Sequence, residues 1–247
     1  MTYEGITIRD PNPVKRWIHG RRFSDALKVL REARPGTPPR VLDFGASDGE
    51  LVRRMADGPP VRAWVYEPEA DALSQAKRKL AGLDWVTLAD SLDGLEPGSF
   101  DYVFCLEVLE HLPAKETDEA LAAIGRMMKP DGRAVIGVPL EIGLPALAKG
   151  LFRMSRRYGS FDAAPGNIAR AVVGRPPAQR PAREVYPGYY YYDSHLGFDY
   201  RSLARRLADG RFEILGKWCC PLPWLGTLLN SELYYLIRKT ASAPSAA

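Results

Sequence analysis

From Arg40 onward, short, mainly apolar runs alternate with longer stretches of mixed polarity. The runs at 41–44, 63–66, 85–88, 102–106 and 134–138 have the length of buried strands. Between them, residues 50–56, 69–80 and 114–128 carry Ala, Leu, Lys and Glu at helical spacing, and the last stops at Lys-Pro-Asp-Gly, residues 129–132. Strands that alternate with helices predict a mainly parallel sheet covered on both faces. A helix is also predicted at 14–33, where Trp17, Ile18, Leu27 and Leu30 share a face and Pro13 stands at the start. Arg-Pro-Gly-Thr-Pro-Pro, residues 34–39, breaks it off. The pattern thus divides the chain into an N-terminal helical cap, 1–39, and an α/β domain, 40–247.

The rhythm fails between 141 and 195, where Gly, Pro, Arg and Tyr crowd together. A connection that long inside a compact domain is functional or disordered, and it reads as a lid inserted after the fifth strand. The pattern resumes with a helix at 200–208 and strands at 212–218 and 233–238. The expected fold is α/β, Rossmann-like and doubly wound, with a mainly parallel seven-stranded sheet. Residues 240–247 are small and polar and are expected to fray. No internal repeat is found.

A length of 247 residues suits one such domain with an insertion. The three cysteines, Cys105 alone and Cys219 beside Cys220, make neither a disulfide framework nor a zinc site. The first ten residues hold no apolar signal core, and no run approaches the roughly 18 apolar residues of a membrane span. A cytoplasmic protein is expected. The net charge of +4 is too mild to indicate nucleic acid. Its distribution is more telling: residues 141–195 hold eight Lys or Arg against four acids, so the insertion carries the whole excess. There Leu144, Leu147, Ala148, Leu151 and Phe152 follow the i, i+3, i+4, i+7, i+8 pattern, opposite Lys149, Arg153, Arg156 and Arg157. This basic amphipathic helix is expected to act as a lid, apolar side on the domain and charges in water. The alternative is peripheral contact with an anionic membrane face. The two agree if the acceptor is a lipid, and the apolar loop at 221–225 points the same way.

The candidate chemistry begins at Val-Leu-Asp-Phe-Gly-Ala-Ser-Asp-Gly-Glu, residues 41–50. A strand enters a tight turn through Gly45, Ala46, Ser47 and Gly49, and a helix N-terminus follows, where free N–H groups can meet a ligand. The next strand ends in Tyr66-Glu67-Pro68. An acidic residue about 20 residues past such a turn can accept both hydroxyls of a ribose, although a lone Glu is more often a solvated surface group. The third strand ends in Asp90-Ser91, able to accept from an exocyclic amine or simply to make a turn. Together with Ser-Phe-Asp-Tyr-Val-Phe-Cys-Leu-Glu-Val-Leu-Glu-His-Leu-Pro, residues 99–113, and Met-Lys-Pro-Asp-Gly-Arg-Ala-Val-Ile, residues 128–136, these pieces resemble a class I S-adenosylmethionine-dependent methyltransferase. The fourth-strand piece is especially similar to the ubiquinone-biosynthesis type of small-molecule methyltransferases. The resemblance covers 40–139, with a weaker tail from Gly197. It implies that S-adenosylmethionine is the cofactor, with Asp43, Gly45 and Gly49 shaping the methionine pocket and Glu67 on the ribose. It further implies Asp90 and Ser91 beside the adenine, and Leu106 and Glu107 at the methionine end. The family often has a third glycine where this chain has Ser47. A nicotinamide dehydrogenase is the rival reading. It wants Gly-x-Gly-x-x-Gly, and from Gly45 the chain gives Ser47 and Glu50 instead.

Transfer of a methyl group to oxygen wants a base near the acceptor. His111 follows the fourth strand and His195 ends a tract with five of the twelve tyrosines, able to line an acceptor pocket. Both are candidate catalytic residues, and both have structural alternatives: a turn before Pro113 for His111, a packed irregular strand for the tract. His19 reads as a surface residue. No spacing of His, Asp or Glu suggests a metal. The leading expectation is methyl transfer to a small-molecule, lipid or glycan acceptor at oxygen. The alternatives are a macromolecular substrate, RNA or protein, or a non-catalytic cofactor-binding domain.

Overall fold

A computed structural model describes residues 13–32, 36–209 and 211–240. The chain before Pro13, residues 33–35 at the end of the predicted first helix and its breaker, and residues 241–247 of the predicted fraying tail lie outside them. Strands β1 (Arg40–Phe44), β2 (Arg62–Tyr66), β3 (Val86–Ala89), β4 (Phe100–Leu106) and β5 (Met128–Pro139) pair in parallel in the order β3-β2-β1-β4-β5. The sheet is completed to seven by two later strands, Glu232–Lys239 antiparallel to β5 and Phe212–Cys220 at the edge. Central strands buried on both faces read as continuous apolar runs, which is why β4 and β5 were legible in the sequence.

Helices cover both faces. On one, α1 (Pro13–Leu27), α2 (Glu50–Met55) and α3 (Ala70–Lys79) bring Phe23, Val52, Met55 and Ala76 against Val41, Val65 and Phe104. On the other, α4 (Ala114–Met127) sets Leu121, Ile124 and Met127 against Phe100, Val103 and Ile136. The cap helix α1 thus packs on the domain as part of its core. All three cysteines are free and buried. Among the described residues no helix is long and apolar enough to cross a membrane.

The insertion is ordered, with α5 (Leu144–Arg157), α6 (Pro165–Val172) and a hairpin of β6 (Ala182–Tyr186) and β7 (Tyr189–Tyr192). A last helix, α7 (Tyr200–Ala208), leads into β8 (Phe212–Cys220) and β9 (Glu232–Lys239). The orientation of α5 corrects the expected lid. Its apolar residues face out, with Leu144, Leu147, Leu151 and Phe152 all exposed, while Ala146 and Gly150 are buried. The cause is Glu141, fully buried at the end of the preceding strand. Arg153 clasps it with two hydrogen bonds, 2.8 and 2.9 Å, and Lys149 adds a third at 3.0 Å. A buried carboxylate without cations is far costlier than a few exposed leucines. Lys149 and Arg153 therefore turn inward, Arg153 and Arg157 are shared with Asp162, and Arg156 stays exposed.

Candidate active site

The sheet order reverses between β1 and β4, and ligands of open α/β sheets bind at the C-terminal edge of such a switch point. A cavity of about 550 Å³ lies there, within the range that holds a cofactor-sized ligand. Its floor is the turn after β1. Gly45 has φ +72°, and a Cβ on it would stand 2.7 Å from Val108 Cγ2. The amides of Gly45 and Ala46 both donate to the Tyr66 carbonyl, at 2.9 and 3.0 Å, tying the turn to β2. Ser47 stands where the resembled family often has glycine and still adopts φ +50°, a left-handed conformation that costs a side chain free energy. Its N–H donates to Glu67 Oε2 at 2.7 Å, and Glu69 N–H to Glu67 Oε1 at 2.9 Å. Glu67 is thereby fixed at the cavity wall, its carboxyl raised by burial against the pull of these two amides.

At the other side of the floor Glu107 leaves β4 with φ +57°. Arg22 of α1 reaches it at 2.9 Å and Glu232 of β9 at 3.2 Å. Burial pushes Glu107 up and is the largest influence on it, but Arg22, Glu232 and the nearby His195 and Lys149 together outweigh it and hold the carboxyl down at about 2. Glu232, buried beside Glu107, is pushed well above the usual carboxylate range. Glu107 Oε1 is buried without a hydrogen-bond partner.

Asp43, at the end of β1, is pushed up from 3.8 to about 8 by burial, then by Glu67 and Asp48. The folded protein therefore keeps a proton on Asp43 that the unfolded chain releases near pH 4. This contribution to stability is full below that pH and is lost as pH rises through about 8. Chemical unfolding of the ligand-free protein should show stability falling from pH 5 to pH 8.5, with a flatter curve for Asp43→Asn. Parallel curves for the two proteins would disprove the assignment.

The hairpin forms the outer wall. Val185, Tyr186, Tyr189 and Tyr191 line the cavity, and Tyr186 Oη donates to the Pro68 carbonyl at 3.3 Å. Along β7, strand alternation sends Tyr189 and Tyr191 inward and leaves Tyr190 exposed. No α5 residue lines the cavity. His111 stacks on Tyr191, with centroids 4.6 Å apart, and its Nδ1 lies 2.7 Å from the Tyr192 carbonyl. A carbonyl only accepts, so Nδ1 carries the hydrogen and Nε2 is bare. His195 Nε2 is 3.0 Å from that bare nitrogen. Burial lowers both imidazoles, His195 to about 4, so both are neutral near pH 7. Behind them sits the fully buried Glu110. Glu110, His111 and His195 bring three potential metal-ligand atoms within 4.8 Å of one another. No sequence spacing announced this, because 84 residues separate the two histidines.

Of the residues singled out in the sequence, Asp43, Gly45, Ala46, Ser47, Glu67, Pro68, Leu106, Glu107, His111 and His195 line the cavity. Gly49 does not. Its φ of +75° caps α2, and a Cβ there would meet Leu80 Cδ1 at 2.7 Å, so it serves the packing of α2 on α3. Asp90 and Ser91 are exposed beyond the cavity, where Ser91 Oγ accepts from Asp93 N–H in a turn. Arg22 and Glu232 line it unannounced, while Tyr189 and Tyr191 come from the tract read as able to line an acceptor pocket. A buried arginine on a helix gives no local signal of the carboxylates it will meet.

This strand order with a glycine-turn cavity at the β1–β4 edge is the Rossmann-like fold of the class I S-adenosylmethionine-dependent methyltransferases. Residues 42–134 match the family model described as a methyltransferase domain. It is 33% identical over 130 residues to the ubiquinone biosynthesis O-methyltransferase of Burkholderia thailandensis, covering 51% of this chain and 50% of that protein. The chain thus spans about half the length of the curated relatives it matches. Among solved structures it is similar to the 1,6-didemethyltoxoflavin-N1-methyltransferase of the same species, bound to 1,6-didemethyltoxoflavin and S-adenosylhomocysteine. There the TM-score is 0.54 and the identity 18%, over 96% of this chain and 85% of the other. The magnesium protoporphyrin IX methyltransferase of Synechocystis, with S-adenosylhomocysteine bound, gives 0.59 and 17% over 96% and 92%. At these identities the two structures speak for the fold.

Proposed function

We propose that the protein transfers the methyl group of S-adenosylmethionine to the oxygen of a small, largely apolar acceptor. The observation that carries this reading is one continuous cavity with Glu67 and the glycine turn at one end and the His111–His195 pair under tyrosines at the other. The residues fit the cofactor. Glu67 offers acceptor lone pairs to ribose hydroxyls, and Arg22 is a cation for the carboxylate. The unpartnered Oε1 of Glu107 suits the ammonium group. Asp90 and Ser91, one strand beyond Glu67, are the groups proposed beside the adenine. When bound, the cofactor supplies an electrophilic methyl group on a sulfonium.

The protein's part is alignment in a closed space. Tyr189, Tyr191 and Val185 hold the acceptor against the methyl position. Held there, the acceptor oxygen would face a bound cofactor's methyl group in line, and the chain's own part would be to keep that alignment and exclude water. The hydroxyl proton leaves at the His111–His195 end. Calorimetry with S-adenosylhomocysteine tests the cofactor assignment, and transfer of labelled methyl to hydroxylated aromatics tests the acceptor. A folded protein that does not bind the product cofactor overturns the reading. Binding without transfer, or transfer only to RNA, protein or nitrogen, overturns the acceptor class.

We further infer that the acceptor reaches the site from an anionic membrane surface on the cytoplasmic side. The outward face of α5 supports it: Leu151 is 57% exposed, with Leu147 and Phe152 beside it. Arg156 stacks on Phe152 at 4.6 Å, setting a cation at the edge of the apolar face. The β8–β9 loop adds Trp224, 78% exposed, with Leu228 and Leu229. An apolar stripe flanked by arginines is the pattern of an interfacial helix. Co-sedimentation with acidic phospholipid vesicles should show binding that falls at least about tenfold in Leu147→Ser/Leu151→Ser, the order expected for two buried leucines withdrawn. Equal binding by this variant removes α5 from the contact.

A further inference from the structure

We propose that Glu110, His111 and His195 form a site for a zinc-type divalent cation, its open coordination position facing the acceptor end of the cavity. The geometry is the first argument. His111 Nε2 and His195 Nε2 are 3.0 Å apart, and Glu110 Oε1 lies 3.8 Å from the first and 3.9 Å from the second. A triangle with these sides has a circumradius of about 2.1 Å, so one point stands at that distance from all three atoms. That is the length of zinc bonds to imidazole nitrogen and to carboxylate oxygen, about 2.0–2.2 Å.

The second argument is Glu110 itself. It is fully buried, and neither of its oxygens has a hydrogen-bond partner from any other described residue. A buried carboxyl group left so is costly in either protonation state, and a cation between it and the imidazoles removes the cost. The third is the orientation of His111. Its Nδ1–H is held by the Tyr192 carbonyl, the outer-shell bond that metal-binding histidines commonly make, and the ring is clamped on Tyr191. Two imidazoles and one carboxylate favour zinc or a similar transition ion over magnesium. Three protein ligands leave a position open, as in reactive rather than structural sites. His111 and His195 line the cavity and Glu110 lies behind them, so that position faces inward.

The insertion supplies His195, so the ion also ties the hairpin wall to β4. On the oxygen-acceptor reading above, on which only this role rests, the ion lowers the pKa of an acceptor hydroxyl bound at the open position. The two imidazoles then serve as ligands instead of a free base.

The tag-free protein, stripped with chelator, is titrated with Co²⁺ and followed by its visible absorption, then with Zn²⁺ by calorimetry. One ion per chain is expected, with affinity falling more than about a hundredfold in H195Q and in E110Q, beyond what loss of an outer-shell partner costs. H19Q, which alters the chain's third histidine, should bind as the parent does. Thermal unfolding and S-adenosylhomocysteine binding are measured on each variant. If one ligand variant does not fold, the other and the parent's cobalt spectrum still decide. Absence of one-to-one binding, or binding unchanged by E110Q and H195Q or lost in H19Q, overturns the site and leaves a hydrogen-bonded histidine pair. These readouts do not depend on methyl transfer, and product-cofactor binding does not depend on the ion, so failure of the metal site and failure of the methyltransferase reading are separable.

Discussion

Replacing Arg22 with methionine should cost about 3–5 kcal/mol of folding stability, the loss typical when one partner of a buried ion pair is removed. Arg22 is nearly buried and bridges Glu107 and Glu232, whose side chains are 19% and 5% exposed. Without the guanidinium two acids crowd one desolvated corner. One relief is protonation of Glu107, which Arg22, with Glu232 and the nearby His195 and Lys149, now holds at about 2. The other is to open the seam between α1 and the sheet, where Tyr234 Oη also donates to the Arg22 carbonyl at 3.0 Å. Denaturant unfolding at pH 7 measures the loss, and the deficit should shrink toward pH 4 as the acids accept protons. The sign follows from the pair: a carboxyl held low contributes stability above its unfolded pKa, and that contribution is what the substitution removes. A loss below about 1 kcal/mol would show that the three groups are hydrated. Methionine preserves most of the packing, so the measurement reads the charge.

Glu67→Ala should weaken binding of S-adenosylhomocysteine by about 1.5–3 kcal/mol, roughly tenfold to a hundredfold, the worth of a hydrogen bond to a charged group. Glu67 already accepts the amides of Ser47 and Glu69, so its remaining lone pairs face the cavity. The same carboxylate holds the two loops that shape the floor, so alanine also loosens Ser47 in its left-handed conformation. Glu67→Gln keeps one acceptor oxygen and should lose less. Calorimetry on folded variants separates the cases: unchanged affinity in Glu67→Ala removes this residue from the site, and equal losses in both variants assign the effect to charge alone.

How far the sequence reached can be seen residue by residue. Glu67 was legible because everything that places it is local: a strand, a two-glycine turn, a helix and the next strand, with its acid about 20 residues past the turn. Asp90 obeyed the same positional logic and sits at its strand end, yet its side chain is exposed beyond the cavity. Strand position fixes where the backbone arrives; the direction of the following turn decides where a side chain points. The metal-ligand geometry had no sequence signal, since Glu110 and His111 are neighbours but His195 arrives from 84 residues away on a returning hairpin.

The helix at 144–157 marks the boundary most clearly. Its bounds and its two faces were set by the chain alone, because the 3.6-residue period is a property of the backbone and needs no partner. Which face turns inward is not contained in that period. Burial of leucine was the expectation. Tertiary structure placed Glu141 under the helix, and one carboxylate in a dry environment outweighs several partly exposed apolar side chains. Local sequence thus determined the elements and the glycine turn after β1. Long-range pairing decided the Arg22 bridge, the histidine cluster and the outward apolar face, because each depends on charges brought together only after the sheet has formed.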